Sequence, residues 1–303
     1  MRIHLKDYLP PEIIPRSGPI KFLSIREKEN LLILNAKKCR KRIVLPKIIN
    51  FEDNNIIAIG LYFAEGNRKI GTGISYHSGE LAFTNANLEA LKLFLGLMKK
   101  FKLNEKDFKC GVDLNINFKY KINKDKLFNY WIGKLKLDSK NARPKWLNYK
   151  GTRGSKIPRG STKYGCLHLC YGSVILRSVF LYFINKIFDK FIVNKDKRDL
   201  SLILAGYFAG DGHISYNKIK KGRKQIEFLC NDSILREKLS LALELIGLKK
   251  IKRTHPESTK THSYALRIYN KQDFLVLYKN KILDIIPYKR QTFVDLLTSY
   301  GYI

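Results

Sequence analysis

Two hydrophobic periods alternate along this chain, and the switches between them mark out its elements. From Asn54 to Gly66 apolar residues run almost without interruption, the pattern of a buried helix N-capped near Asp53 or Asn54. Residues 67–84 place Gly71, Gly73 and Gly79 among short apolar runs, which predicts a hairpin. Leu88, Leu91, Leu95 and Met98 recur at helical spacing over 87–101. Over 110–119 the period becomes two. Val112, Leu114, Ile116 and Phe118 alternate with Asp113, Asn115, Asn117 and Lys119, as in a strand with one buried and one polar face. A short amphipathic helix carrying Trp131 follows over 124–137, then a basic, Gly- and Ser-rich loop over 138–162. A strand at 163–171 and a long apolar helix at 173–191 complete the series.

The same order returns in shorter form. It runs as a helix at 199–212, a hairpin at 213–230, a helix at 232–247, strands near 248–255 and 262–269, and helical residues from 271 onward. The charged stretch Asn194–Arg198 reads as the linker between the halves. Three segments result: 1–50, 51–193 with an insertion at about 120–162, and 199–303. Residues 1–50 contain Pro10, Pro11, Pro15 and Pro19 and the basic cluster Lys37, Lys38, Arg40, Lys41 and Arg42. They are expected to be irregular, either an arm along a phosphate backbone or a solvated lead-in.

The repeat is explicit in one segment. Ala58–Gly66 (AIGLYFAEG) and Leu204–Gly212 (LAGYFAGDG) are both apolar, both contain an embedded Gly, and both end in a carboxylate followed by Gly. Glu65 and Asp211 stand 146 residues apart. Gly60, Ala64, Gly206 and Gly210 would let two helix backbones approach closely and set the two acids side by side. The simpler account is that each acid only ends its helix before a Gly C-cap. A carboxylate there opposes the helix dipole, however, which a purely structural role does not favour.

Composition narrows what such a pair could do. The chain has 303 residues, 45% of them hydrophobic, enough for two globular domains. Lys and Arg number 58 against 26 acids, a net charge of +32 that calls for a polyanionic partner. Part of the Lys, Ile and Asn excess is of the kind an AT-rich genome or a thermophile also produces. With 12% aromatic residues, nucleic acid is the partner of choice. No run approaches the ~20 apolar residues of a membrane span, and Met1–Lys6 lacks a signal-peptide core. A cytoplasmic, nucleoid-associated protein with no membrane contact is therefore expected. Five cysteines without a CxxC fit reduced thiols.

Two carboxylates suit Mg²⁺ or Mn²⁺, since such ions keep several waters and accept substrate phosphates as further ligands. They polarise a phosphoryl oxygen and activate water. Polar strand faces supply candidate nucleic-acid contacts at Asn115, Asn117, Lys119, His168, Lys250, Lys252 and Arg267. Arg and Asn match guanine and adenine edges, while Lys more often meets phosphate. Cys166, His168 and Cys170 share one strand face, but their spacing spreads them along it with no fourth ligand nearby, which argues against zinc.

The paired segments resemble the signature motifs of the LAGLIDADG homing endonucleases in the single-chain, two-motif form. The second copy, followed by His213-Ile214, is the nearer match; the first has Glu where Asp is usual. The likeness extends over about 45–300. It implies an α+β fold of two pseudo-twofold-related αββαββα domains forming a DNA-binding saddle. It also implies Glu65 and Asp211 as catalytic metal ligands, with the carbonyls of Ala64 and Gly210 as further ligands. Lys271 matches the family's basic rim residue, with no basic counterpart near Gly172-Ser173 in the first half; Asn87 and Asp232 are weaker candidates for the same rim. The reading that follows is a Mg²⁺-dependent, monomeric, intron-encoded or free-standing double-strand endonuclease with a long, asymmetric DNA target. The alternatives are an intron-RNA-binding maturase and a non-cleaving DNA-binding protein on the same fold.

Overall fold

The computed structural model describes residues 1–13, 19–37, 39, 41–66, 79–115, 123–147, 165–216, 224–230, 232–255 and 264–303. By compactness the chain divides into two units. One comprises Met1–Phe51 with Gly66–Phe183, the other Glu52–Glu65 with Ile184–Ile303.

In the first unit the described residues before Phe51 include five strands, which corrects the irregular extension expected from their prolines. Strand β1 (Arg2–His4) pairs antiparallel with β5 (Ile48–Asn50), and β2 (Phe22–Lys28), β3 (Leu31–Ala36) and β4 (Ile43–Pro46) form an antiparallel sheet. Leu32, Leu34 and Ala36 are buried with Ile43 and Leu45. The alternation was hidden because β3 is apolar on both faces over Leu31–Leu34, while β2 is mostly exposed. Helix α1 (Asp53–Glu65) follows in the chain and packs in the second unit.

The first unit continues with β6 (Glu80–Asn85), α2 (Leu88–Lys100), β7 (Lys109–Asn115), α3 (Lys124–Leu135), β8 (Ala142–Leu147), β9 (Cys166–Gly172) and α4 (Val174–Val193), the last crossing into the second unit at its middle. The sheet order is β6-β9-β7-β8. Phe83 of β6 stacks on Phe94 of α2 at 4.6 Å between ring centroids, and Phe94 meets Phe108 edge-on. The loop expected at 138–162 contains a strand: β8 runs parallel to β7, from Cys110 opposite Ala142 to Asn115 opposite Leu147. Its run Ala142-Arg-Pro-Lys-Trp-Leu carries too few apolar residues in alternation to show this. The first strand of the expected 67–84 hairpin and residues 116–119 lie outside the described residues.

The second unit holds α1 with α5 (Lys197–Asp211), β10 (Gly212–Ser215), β11 (Gln225–Cys230), α6 (Ser233–Leu245), β12 (Ile251–Thr254), β13 (Tyr264–Ile268), α7 (Lys271–Lys279) and α8 (Pro287–Thr298). The expected linker is a tight turn instead. Lys195 adopts φ +52°, and the Asp196 side chain accepts from Asp199 N at 3.1 Å as the N-cap of α5, so Lys197 and Arg198 are already helical. The sheet runs β10-β11-β13-β12, antiparallel throughout. Its inner face sets Ile226, Phe228, Leu266 and Ile268 in the core with Leu235, Leu239 and Leu243 of α6. The strand sequence β11-β13-β12 reproduces β6-β9-β7 of the first unit, pair for pair antiparallel. Duplication is thus visible in the topology as well as in the helices. Among the described residues no helix is long and apolar enough to cross a membrane.

Candidate functional site

Helices α1 and α5 are buried on nearly all sides, from Asn55 to Phe63 and from Ile203 to Phe208. Each carries a Gly where the other helix comes closest. A Cβ added to Gly60 would fall on the carbonyl of Ile203 and crowd the amide of Tyr207; one added to Gly206 would fall on the carbonyl of Ile57 and crowd the amide of Leu61. These contacts are reciprocal under the repeat offset, so the two helices pack around a local twofold. Close backbone approach of this kind requires Gly. The seam continues to the helix ends: a Cβ on Gly210 would lie 2.9 Å from Glu65 Cγ and 3.5 Å from Glu65 Oε1. Glu65 and the last turn of α5 are therefore in direct packing contact, with Asp211 as that turn's final residue.

Burial and the neighbouring Asp211 charge push the Glu65 carboxyl up to about 7, partly offset by the Lys289 ammonium. Lys289, in the first turn of α8, is 8% exposed. Its Nζ donates to the carbonyls of Phe208 at 2.8 Å, Ala209 at 2.9 Å and Gly210 at 3.1 Å. Burial pulls this ammonium down to about 8, against the opposing pull of Glu65 and Asp211. Beside it the Tyr288 hydroxyl is raised, first by partial desolvation and then by the Glu65 charge, although the residue as a whole is largely exposed. Neither Lys289 nor Tyr288 was singled out from the sequence. The signal there was a Pro at the first position of a helix, which says where α8 begins and nothing of what it caps.

The outer face of the second-unit sheet forms a polar surface. Strand register sets His213, Glu227, Arg267 and Lys252 in one row across four strands, opposite in sense to the buried Phe228 and Leu266 row. Arg267 Nε donates to Glu227 Oε1 at 2.5 Å, which fixes the guanidinium over the sheet. Lys250 and Lys252 line an open cleft of about 410 Å³ with Ile251, Tyr269 and Asn270. Lys250, Lys252 and Arg267 are thus brought to one face.

Other residues have different surroundings. Lys271 opens α7, and its Nζ stands 4.7 Å from the Tyr300 ring centroid; the cation beside the acids is Lys289. Asn87 and Asp232 serve as N-caps of α2 and α6. Asn87 Oδ1 accepts from Glu89 N and Ala90 N, and Asp232 Oδ1 from Ile234 N and Leu235 N. In the first unit, His168 of β9 stands opposite Thr84 of β6, with Nδ1 2.6 Å from Thr84 Oγ1. Asn115 ends β7, while Asn117 and Lys119 lie outside the described residues. Ala64 packs against Gly210, whose carbonyl receives a Lys289 hydrogen bond.

Among the described residues no group of three or more His, Cys, Asp and Glu is assembled. A transition-metal cage is thus not formed there. Two carboxylates, one of them largely desolvated beside the other, fit a hard divalent ion that completes its shell with water and phosphate oxygen.

Residues 199–281 match the family described as LAGLIDADG-like domain, so the resemblance read from the paired motifs holds over that segment. No curated protein matches the chain. Among solved structures, the N-terminal LAGLIDADG domain of DUF199/WhiA is similar at 13% identity and TM-score 0.43, over 76% of this chain and 82% of that one. Full-length DUF199/WhiA from Thermatoga maritima gives 11% and 0.40, over 83% and 63%. The homing endonuclease I-DmoI, crystallised with its target DNA and Mg, gives 13% and 0.38, over 75% and 96%.

Proposed function

We propose that this chain, whose residues 199–281 match the LAGLIDADG-like domain, is a site-specific double-strand DNA endonuclease that hydrolyses phosphodiester bonds with Mg²⁺ or Mn²⁺. The observation that carries the reading is the meeting of Glu65 with the last turn of α5 at the seam of two duplicated helices. There burial and Asp211 raise the Glu65 carboxyl to about 7. A fold that only bound DNA would gain nothing from carboxylates packed together on a protein of charge +32. Glu65 and Asp211 would hold the ion, which when bound supplies Lewis acidity at the phosphate. The residues of the chain bind and orient the duplex. Lys250, Lys252 and Arg267 meet phosphates and base edges from the outer sheet face, and Lys289 limits the repulsion between the acids.

The repeats 51–193 and 199–303 act as the two half-site readers, and their unlike acids and unlike sheets fit an asymmetric target cut by a monomer. The deciding experiment is cleavage of a DNA library, or of intron-insertion alleles, with Mg²⁺ by wild type, Glu65→Gln and Asp211→Asn. Cutting by wild type alone is expected; binding without cutting, or cutting by both variants, rejects the assignment. One observation favours a second reading, a DNA-binding protein that does not cleave: the Lys289 ammonium already provides a positive charge at the acids. The same experiment separates the two.

A further inference from the structure

Residues 1–50 belong to neither repeat and lie outside the segment that matches the family, yet they carry twelve Lys and Arg against four acids. The fold gives that charge a direction. In the sheet of β2, β3 and β4, Leu32, Leu34, Ile43 and Leu45 are buried on one face. Register sets the other face in rows: Ser24 with Asn35, Arg26 with Ile33 and Val44, and Lys28 with Leu31 and Pro46. Asn35 Nδ2 donates to Ser24 Oγ at 3.0 Å, Val44 is 38% exposed, and Arg26 and Lys28 are exposed. Lys21, Lys37, Lys41 and Arg42 are exposed as well, at the end of the sheet where β2 starts and β3 turns into β4. The acids of the segment do not neutralise this face. Glu27 is paired in register with the buried Leu32, on the opposite side of β2, and there it holds both Lys6 and Lys47. Among the described residues, no carboxylate meets Arg26, Lys28, Lys41 or Arg42.

We propose that the outer face of the β2-β3-β4 sheet is a second nucleic-acid contact, one that grips duplex phosphates without reading sequence. Like charges crowded on one small sheet repel one another, and a polyanion offsets that cost. The cations also lie along a line. At ~3.3 Å per residue, the stretch from Lys21 to Lys28 reaches over ~20 Å, about six base steps of a duplex. A protein partner fits less well, because the centres of protein interfaces are depleted in Lys, whereas phosphate is met chiefly by Lys and Arg. Leu31, Ile33 and Val44 fill the middle of the face and offer no side-chain hydrogen bond to a base edge, so the contact supplies affinity and not discrimination. This rests on the reading of the chain as a DNA-binding protein and is independent of whether it cleaves.

The test is binding of the full chain to labelled duplexes of arbitrary sequence at several salt concentrations. Wild type is compared with Arg26→Gln plus Lys28→Gln, and with Lys190→Gln plus Lys279→Gln. Lys190 and Lys279 are exposed on α4 and α7, so both double variants lose the same net charge. The sheet variant should bind every duplex more weakly and lower the slope of log affinity against log salt by about 2, while the control keeps the slope. Equal slopes in the two variants, with duplex binding intact, overturn this contact and leave the DNA reading standing. No duplex binding by wild type overturns both. Binding to phosphatidylserine vesicles that depends on Arg26 and Lys28, with duplex binding unchanged, assigns the face to a membrane surface and also overturns the proposal. Lysine acetylation of wild type, read by mass spectrometry, needs no substitution. A duplex should protect Lys21, Lys28 and Lys41 and spare Lys190; equal reactivity with and without DNA at the three overturns the proposal.

Discussion

Gly60 and Gly206 each lie against the other helix's backbone, Gly60 at Ile203 and Tyr207, Gly206 at Ile57 and Leu61. The reciprocity means that the α1–α5 seam has no spare space for a single carbon on either side. The distance between the helices, and with it the placement of Glu65 against Gly210, is set at these two positions.

Gly206→Ala should therefore be severe. The added methyl meets a carbonyl and an amide of α1, not a side chain that can swing away, so the helices must separate. The loss should be about 3 kcal/mol or more, read from the urea midpoint of unfolding. Gly96, whose Cβ position has nothing within 4 Å, is the control, and Gly96→Ala should be neutral or slightly stabilising. Equal effects at the two sites would show that the seam is not tightly closed.

Stability of the metal-free protein should fall as pH rises toward neutrality. The Glu65 carboxyl sits at about 7 in the fold and near ~4.3 in the unfolded chain, so the folded state holds its proton more tightly. The stability this confers is complete below ~4.3 and is lost as pH rises through about 7. Lys289, lowered to about 8, loses its share in the opposite direction, as pH falls from ~10.4 through 8. Glu65→Gln should flatten thermal melts in EDTA between pH 5 and 7.5 and should be the more stable protein at pH 8, by on the order of 1–3 kcal/mol. Parallel pH profiles of variant and wild type would contradict this.

Asp232 is expected to matter for folding and not for chemistry. Its side chain satisfies two amides at the start of α6, so Asp232→Ala should cost ~1 kcal/mol in urea denaturation. Asp232→Asn, which retains the accepting oxygen, should restore most of it. Loss of metal binding in Asp232→Asn would instead place this residue at the acidic site.

On the sheet face, Lys252→Ala should weaken DNA binding evenly across sequences and reduce the slope of log affinity against log salt by about 1. Arg267→Lys should act differently. The Glu227 contact fixes a planar fork that Lys cannot reproduce, so discrimination at one base pair should fall by ~1–3 kcal/mol while the salt slope is kept. Binding titrations on a target and its single-base variants at several salt concentrations distinguish the two outcomes.

Much of this was legible along the chain. The α1 and α5 segments follow from their uninterrupted apolar runs, since they are buried on nearly all sides, and the helices α2 and α6 follow from their periods, because each buries one continuous face and its sequence must repeat accordingly. The sheet of residues 22–46 was not legible: β2 is largely exposed and β3 apolar on both faces, so neither shows clean alternation. Strand β8 was missed because parallel pairing with β7 leaves no hairpin signal.

The sequence by itself determined that two like helices exist, that each ends in one acid, and that the chain carries the charge of a polyanion binder. Those are properties of neighbours along the chain. Only the tertiary structure decided what surrounds the acids, because Lys289 stands 78 residues beyond Asp211 and reaches the end of α5 through the packing of α8. Burial and charge at a site depend on distance in space, and periodicity carries no record of that.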